Sequence, residues 1–256
     1  MPAQIVTLVN QKGGVGKTTT AVSLAAALGR SGQRVLLIDL DPQANATSAI
    51  GVATGGQAGV YEALLEETPI ETCVVSVPEE KLSLVPSSAA LAGAEVELVP
   101  LMARERRLEV AVRPLRDAYD WILIDCPPSL GLLTINALTA SDSVIIPVQC
   151  EYMALEGLSR LMETLQLVRR NLNPNLAVLG VVLTMFDSRT RLAQQVVDEV
   201  RSHFDSTFAA VIPRAVRLSE APSHGQSIFR YEPSGKAAAA YAALAREMLA
   251  RTGVAA

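Results

Sequence analysis

Cysteine is scarce in this chain, and its few residues do not cluster. Cys73, Cys126 and Cys150 are odd in number, widely separated and without Cys-x-x-Cys spacing. That argues against a disulfide framework, a zinc site or a cysteine-bridged iron–sulfur cluster, and leaves buried reduced thiols. Histidine is scarcer still: His203 and His224 are too few for a histidine-based transition-metal site. No apolar run reaches the roughly 18 residues that a membrane-spanning helix needs. The mean hydropathy of +0.29 therefore reflects alanine-rich helices and Val/Ile/Leu strands. The N-terminus leads straight into an apolar strand, without the basic region and small-residue cleavage site of a signal peptide, so a cytoplasmic protein is expected. Positive charge is not in excess either, the formal net charge being −4. A protein that coats itself in DNA through bulk charge would be basic, so any nucleic-acid binding must come from a local patch.

What is present is a regular alternation of short apolar runs with longer amphipathic segments. Strands are expected at residues 5–9, 35–39, 82–86, 121–125, 144–148, 178–184 and 209–212. Most are continuously apolar, as strands covered on both faces must be. Helices are expected at 18–31, 101–118, 132–140, 155–171, 191–204 and 236–252. The alternation predicts an α/β fold, a doubly wound and mostly parallel sheet flanked by helices, with ligands at the carboxyl ends of the strands. The 256 residues suffice for one domain spanning 1–256. Residues 51–59 read as a loop. Residues 213–233 hold three prolines and no clear period, and a run that irregular is often functional.

The strongest motif is Asn10-Gln11-Lys12-Gly13-Gly14-Val15-Gly16-Lys17-Thr18-Thr19, lying between a strand and a helix. This is the G-x-x-x-x-G-K-[ST] context of a phosphate loop. Its glycines let backbone N–H groups face a polyphosphate, and the helix start adds unpaired donors. Lys17 supplies a point charge near the β and γ phosphates, and the Thr18 hydroxyl is offered to Mg²⁺. The run Trp121-Ile122-Leu123-Ile124-Asp125 is an apolar strand ending in an acid, the Walker B arrangement, and assigns Asp125 to the metal. Asp39 and Asp41 end another apolar run, and their spacing alone does not decide which serves the water and which the metal shell. No Asn-Lys-x-Asp guanine signature follows the sixth strand, which favours ATP.

Lys12 stands five residues before Lys17 and completes K-G-G-x-G-K-T, a deviant Walker A. The chain resembles the ParA/Soj chromosome-partitioning ATPases, of the superfamily that holds MinD and the nitrogenase iron protein. The resemblance rests on VNQKGGVGKTTT at 9–20, DLDPQANATS at 39–48, DCPPSLGLLT at 125–134, TMFDSRT at 184–190 and IPRAVRLSEAPSHG at 212–225. It implies ATP/ADP and Mg²⁺ as ligands. Nucleotide would be held by Lys12, Gly13, Gly14, Val15, Gly16, Lys17, Thr18 and Thr19, with the base near Met185 and Pro213. Thr18, Asp39 and Asp125 would serve the metal, and Asp41 would position the attacking water. Lys12 would reach the partner's nucleotide across an ATP-bound homodimer, and residues 127–131 would sense the γ phosphate. Ala44 departs from the glycine common at that position, without loss of a catalytic atom.

The resemblance further implies that the dimer binds double-stranded DNA non-specifically, associates with the nucleoid, and is triggered by a ParB/Spo0J-type centromere-binding protein. Arg189, Arg191, Arg214 and Arg217 are the expected DNA contacts, with Arg230 nearby, and they would touch phosphates. No helix-turn-helix extension is expected ahead of the phosphate loop. The alternative is a MinD-like, membrane-associated division-site ATPase. That reading needs a C-terminal amphipathic anchor with bulky apolar and basic residues. The alanine-rich tail lacks the cluster, so a core-packed terminal helix and no membrane binding are expected.

Overall fold

Seven of the apolar runs become strands of a single sheet in the computed structural model, which describes residues 2–54, 56–151 and 154–253. The strands are β1 (Gln4–Leu8), β2 (Val35–Asp39), β3 (Val75–Val77), β4 (Leu82–Val85), β5 (Trp121–Asp125), β6 (Ser143–Gln149), β7 (Ala177–Phe186) and β8 (Thr207–Pro213). Their order is β3-β4-β2-β5-β1-β6-β7-β8, and every pairing is parallel except β3 with β4. The edge strand β3 was not expected: three residues with an exposed centre are too short to show a period.

The helices are α1 (Lys17–Arg30), α2 (Asn45–Ala49), α3 (Val60–Leu65), α4 (Leu91–Glu97), α5 (Arg107–Val112) and α6 (Leu132–Ala140). They continue with α7 (Ala154–Asn171), α8 (Arg191–His203), α9 (Val216–Glu220), α10 (Ile228–Tyr231) and α11 (Lys236–Thr252). Side chains alternate across each strand. Val6, Leu8, Leu37 and Leu123 therefore meet α1 and α11 on one face. Ile5, Ile38, Ile122 and Ile124 meet α3 to α6 on the other, which α7 and α8 continue over β6 and β7.

Two expectations are corrected. Residues 101–118 do not form one helix: α5 is flanked by tighter 3₁₀ turns at Arg104–Arg106 and Arg113–Asp117. Pro114 has no N–H to give the α-ladder, and Ala103 stands at φ 51, outside the helical region. Residues 213–233 are not structureless either, since they hold α9, a 3₁₀ turn at Ala221–His224 and α10. Such short pieces cannot display a helical period. Glu80, wholly buried, accepts the Ser227 N–H at 2.9 Å and the Ser227 hydroxyl, tying this segment to the sheet edge.

Helix α11 is built into the core. Tyr241, Leu244, Met248 and Leu249 are buried with the alanines of α1. Among the described residues no helix is long and apolar enough to cross a membrane. The three cysteines are free and buried.

Candidate nucleotide site

Strand β1 hands the chain to a loop that is pinned at both ends before α1 begins. Asn10 is buried; its Nδ2 donates to the Pro147 carbonyl at 2.7 Å, and its Oδ1 accepts the Lys12 N–H at 3.0 Å. The Thr184 hydroxyl donates to the Val15 carbonyl at 2.8 Å. Gly14 and Gly16 sit at φ +75 and +85, a region glycine enters without a Cβ penalty. Gly16 is also the N-cap of α1 and offers no side-chain acceptor, which leaves first-turn N–H groups of a 14-residue helix for an anion.

Lys17 is nearly buried, and its ammonium donates to the Lys12 carbonyl at 3.2 Å. Burial lowers its pKa; the charges of Asp125, Cys126 and Asp41 oppose that shift. These acids come together because strand register brings them together. Asp125 pairs with Leu8 on one side and with Asp39 on the other. The ends of β1, β2 and β5 thus form one edge.

Asp125 is fully buried, and among the described residues neither carboxylate oxygen has a hydrogen-bond partner of good geometry. Burial, then the neighbouring Asp39 charge, pushes its pKa well above the ordinary carboxylate value; the Thr18 hydroxyl and the Lys17 ammonium pull the other way. A buried carboxylate left without partners needs an explanation, and a divalent cation supplies one. Asp125 and the hydroxyl of Thr18 are hard oxygen donors of the kind Mg²⁺ takes when phosphates complete its shell.

Asp39 is differently engaged. Its Oδ2 accepts the Thr47 N–H at 2.8 Å and the Thr47 hydroxyl at 2.7 Å, and its Oδ1 accepts the Asp41 N–H at 3.2 Å. Burial raises its pKa to about 6 against those hydrogen bonds. Asp41 lines a cavity of about 380 Å³ with Gly13, Lys17, Thr18, Asn45 and Pro128. A second cavity, of about 250 Å³, is walled by Gly16, Thr19, Thr184, Met185, Pro213 and Tyr241. Gly16, Thr19 and Met185 border both, so the two adjoin. Met185 holds φ 53, a strained setting for a non-glycine residue and one that clusters at ligand sites.

The remaining expected residues lie around this edge. Lys12 is exposed, with its ammonium 3.8 Å from a Glu151 oxygen. The pairing of Phe186 with Pro213 makes the loops after β7 and β8 neighbours, and the Arg214 N–H donates to the Phe186 carbonyl at 2.9 Å. Arg189 lies in the first loop and Arg191 opens α8 after it; Arg214 lies in the second loop and Arg217 in α9 after it. Arg189 grips Asp187 through Nε at 2.9 Å and Nη2 at 2.7 Å, holding that carboxyl well below the usual range. Arg217 reaches Glu220 at 2.7 Å and Glu232 at 3.6 Å. Both pairs lie in solvent, which screens their charges, so neither arginine is locked to its acid. Arg230 instead stands 3.7 Å from buried Glu80.

Sequence reasoning passed over Asn10, Thr47, Ser87, Glu151 and the structural bond of Thr184. Asn10 and Thr47 stand inside the quoted motifs, where their type and position were the available signal. Ser87 and Glu151 carry none.

A protein-family model described as an AAA domain (AAA_31) matches residues 3–178. The chain is 53% identical over 249 residues to the sporulation initiation inhibitor protein Soj of Bacillus subtilis (strain 168), covering 96% of this chain and 98% of that one. It is 53% identical over 250 residues to the chromosome partitioning protein ParA of Myxococcus xanthus (strain DK1622), covering 97% and 88%. A structure of cobyrinic acid a,c-diamide synthase from Mycobacterium smegmatis with bound ATP analog and magnesium superposes with a TM-score of 0.86 at 37% identity, over 95% of this chain and 93% of that one. With a P-loop, a Walker B acid and relatives of this similarity along nearly its whole length, the chain belongs to the ParA/Soj family of partitioning ATPases.

Proposed function

We propose that this chain hydrolyses ATP, with Mg²⁺, as the timing step of DNA partitioning. An ATP-bound homodimer holds duplex DNA non-specifically, and hydrolysis, stimulated by a ParB/Spo0J-type partner, releases it. The observation that carries the reading is the single edge where Lys17, Asp41 and the partnerless Asp125 converge beside open N–H groups of α1.

In this reading the phosphates lie in the 380 Å³ cavity, against the loop N–H groups and Lys17. Asp125 and Thr18 hold Mg²⁺, which supplies charge neutralisation when bound. Asp41 orients a water and accepts its proton as the water attacks the γ phosphorus, while the bond from that phosphorus to the β,γ-bridging oxygen breaks and ADP leaves with the electron pair. Asp39 acts mainly by holding the Asp41 loop. The adenine lies in the adjoining cavity, against Met185 and Pro213. Lys12 exchanges Glu151 for the partner subunit's nucleotide, where a second cation meets developing charge. Arg189, Arg191, Arg214 and Arg217, doubled in a dimer, supply phosphate contacts that one copy has in small number. The cell site is the cytoplasm, with nucleoid association in the ATP state.

A membrane-anchored, MinD-like role is disfavoured because α11 spends its apolar side chains on α1 and the sheet. The synthase named for the mycobacterial structure is a more distant relative than the partition proteins, 37% against 53% identical.

The test is duplex DNA binding by fluorescence anisotropy with ATP, with ADP and without nucleotide, for the wild type and Asp41→Ala, across a salt series. Binding with ATP alone, persisting in the variant and falling steeply with salt, is the expected result. Binding indifferent to nucleotide, or absent throughout, contradicts the proposal. Liposome pelleting under the same conditions separates the membrane alternative.

A further inference from the structure

The Asp41 loop is closed by a ring of buried hydrogen bonds drawn from three separate elements. Thr47, in α2, has no exposed surface and commits its N–H and its hydroxyl proton to Asp39 Oδ2, at 2.8 and 2.7 Å. A hydroxyl has one proton and two lone pairs, so Thr47 Oγ1 remains an acceptor. The N–H of Ser87 takes that place at 3.0 Å. Ser87 lies just beyond β4, is 2% exposed, and donates its own hydroxyl to the Asp41 carbonyl at 2.7 Å. The ring closes through the Asp41 N–H on Asp39 Oδ1 at 3.2 Å. Asp41 is thereby held at both its backbone N–H and its carbonyl. Its carboxylate Oδ1 takes the Gln43 N–H at 2.9 Å, and Oδ2 has no hydrogen-bond partner among the described residues.

Ser87 is itself immobilised. The preceding carbonyl, of Pro86, accepts the Val60 N–H at 3.0 Å, and a Cβ on Gly59 would stand 2.4 Å from that same oxygen. A serine fixed in this way transmits the position of the β4 exit to Asp41.

We propose that Ser87 and Thr47 are positioning residues for hydrolysis, setting where the Asp41 carboxylate points while touching neither nucleotide nor water. The inference rests on Asp41 being the group that orients the attacking water. A displacement of about 1 Å at such a group costs roughly 10²-fold in rate, because the reacting atoms leave their attack geometry. Both residues should therefore govern kcat and leave ATP affinity alone.

The experiment measures kcat and KM for ATP, the Kd of a non-hydrolysable ATP analogue, and thermal melting, for Ser87→Ala, Thr47→Val, Thr47→Ser and Asp41→Ala. Ser87→Ala and Thr47→Val should lose roughly 10- to 100-fold in kcat. Their KM and analogue Kd should stay within about twofold, the split expected when only transition-state interactions are lost. Thr47→Ser, which restores both donors and the acceptor, should recover most of the rate. Wild-type turnover in Ser87→Ala, beside a dead Asp41→Ala, overturns this inference and leaves the role of Asp41 standing. Full turnover in Asp41→Ala removes the premise. Parallel loss of analogue binding, turnover and melting temperature in Ser87→Ala overturns the inference in favour of a general structural role.

Discussion

At the scale of single residues, the site is an electrostatic imbalance. Asp41 and Asp125 are buried within reach of one buried cation, Lys17, and buried Asp39 stands against Asp125. Desolvation penalises the charges of Lys17, Asp39 and Asp125, and a bound nucleotide with its cation changes the balance. The nucleotide-free protein should show it in its pH dependence. Asp39 moves from 3.8 to about 6 on folding, so the folded state binds its proton more tightly than the unfolded state. The stability this confers is complete below the unfolded value and is lost as pH rises through the folded one. Urea denaturation of the nucleotide-free wild type should therefore lose stability, relative to Asp39→Asn, between about pH 4 and pH 6. Parallel profiles for the two proteins across that window would contradict the burial argument. The types of residue in the site were legible, since Lys17, Asp39, Asp41 and Asp125 all stand in motifs. Their commitments were not. That Asp39 spends its oxygens on Thr47 and the Asp41 backbone, while Asp125 spends none, depends on approach in space. Ser87, 46 residues from Asp41 in sequence, could be found no other way.

At the scale of elements, α1 joins the phosphate loop to the core, and its packing leaves little room. Ala21, Ala25, Ala26 and Ala27 are small enough to let both the sheet and α11 pack closely on α1. Gly29 allows a closer contact still: a Cβ there would stand 2.0 Å from the Lys81 carbonyl. Helix propensity favours Gly29→Ala by about 1 kcal/mol. The clash is with backbone, which cannot rotate away, and overpacking of this kind costs about 1–3 kcal/mol. Gly29→Ala should therefore destabilise the protein in chemical denaturation, and a stabilised variant would refute the packing account. Five long helices (α1, α6, α7, α8 and α11) and seven of the eight described strands announced themselves by period and apolar runs. The exception among the helices was 101–118, where an amphipathic pattern ran on across Pro114 and hid two changes of helix type. The short pieces α2, α9 and α10 were silent because one turn cannot show a 3.6-residue repeat. Two of them carry residues of the proposed mechanism, as α2 supplies Thr47 and α9 supplies Arg217.

At the scale of the whole molecule, an acidic protein presents Arg189, Arg191, Arg214 and Arg217 on the two adjacent segments that follow β7 and β8. Asp187, Glu220 and Glu232 partly neutralise them, which a reading of charge along the chain did not show. Arg217→Glu should abolish ATP-dependent DNA binding while DNA-independent ATP turnover continues. Anisotropy with a duplex and a phosphate-release assay would check the two halves, and retained DNA binding would remove Arg217 from the interface. The segments holding these arginines begin at Met185 and Pro213, walls of the 250 Å³ cavity, so in the proposed reading the nucleotide and DNA surfaces would share a border. All of this depends on one edge of the sheet being an ATP-hydrolysing site with Asp41 at the water. The most direct test is to measure equilibrium ATP binding and phosphate release by Asp41→Ala together. The account predicts ATP affinity within a few-fold of wild type and turnover reduced by roughly 10²-fold or more. Lost ATP binding, or phosphate release at the wild-type rate, would contradict it.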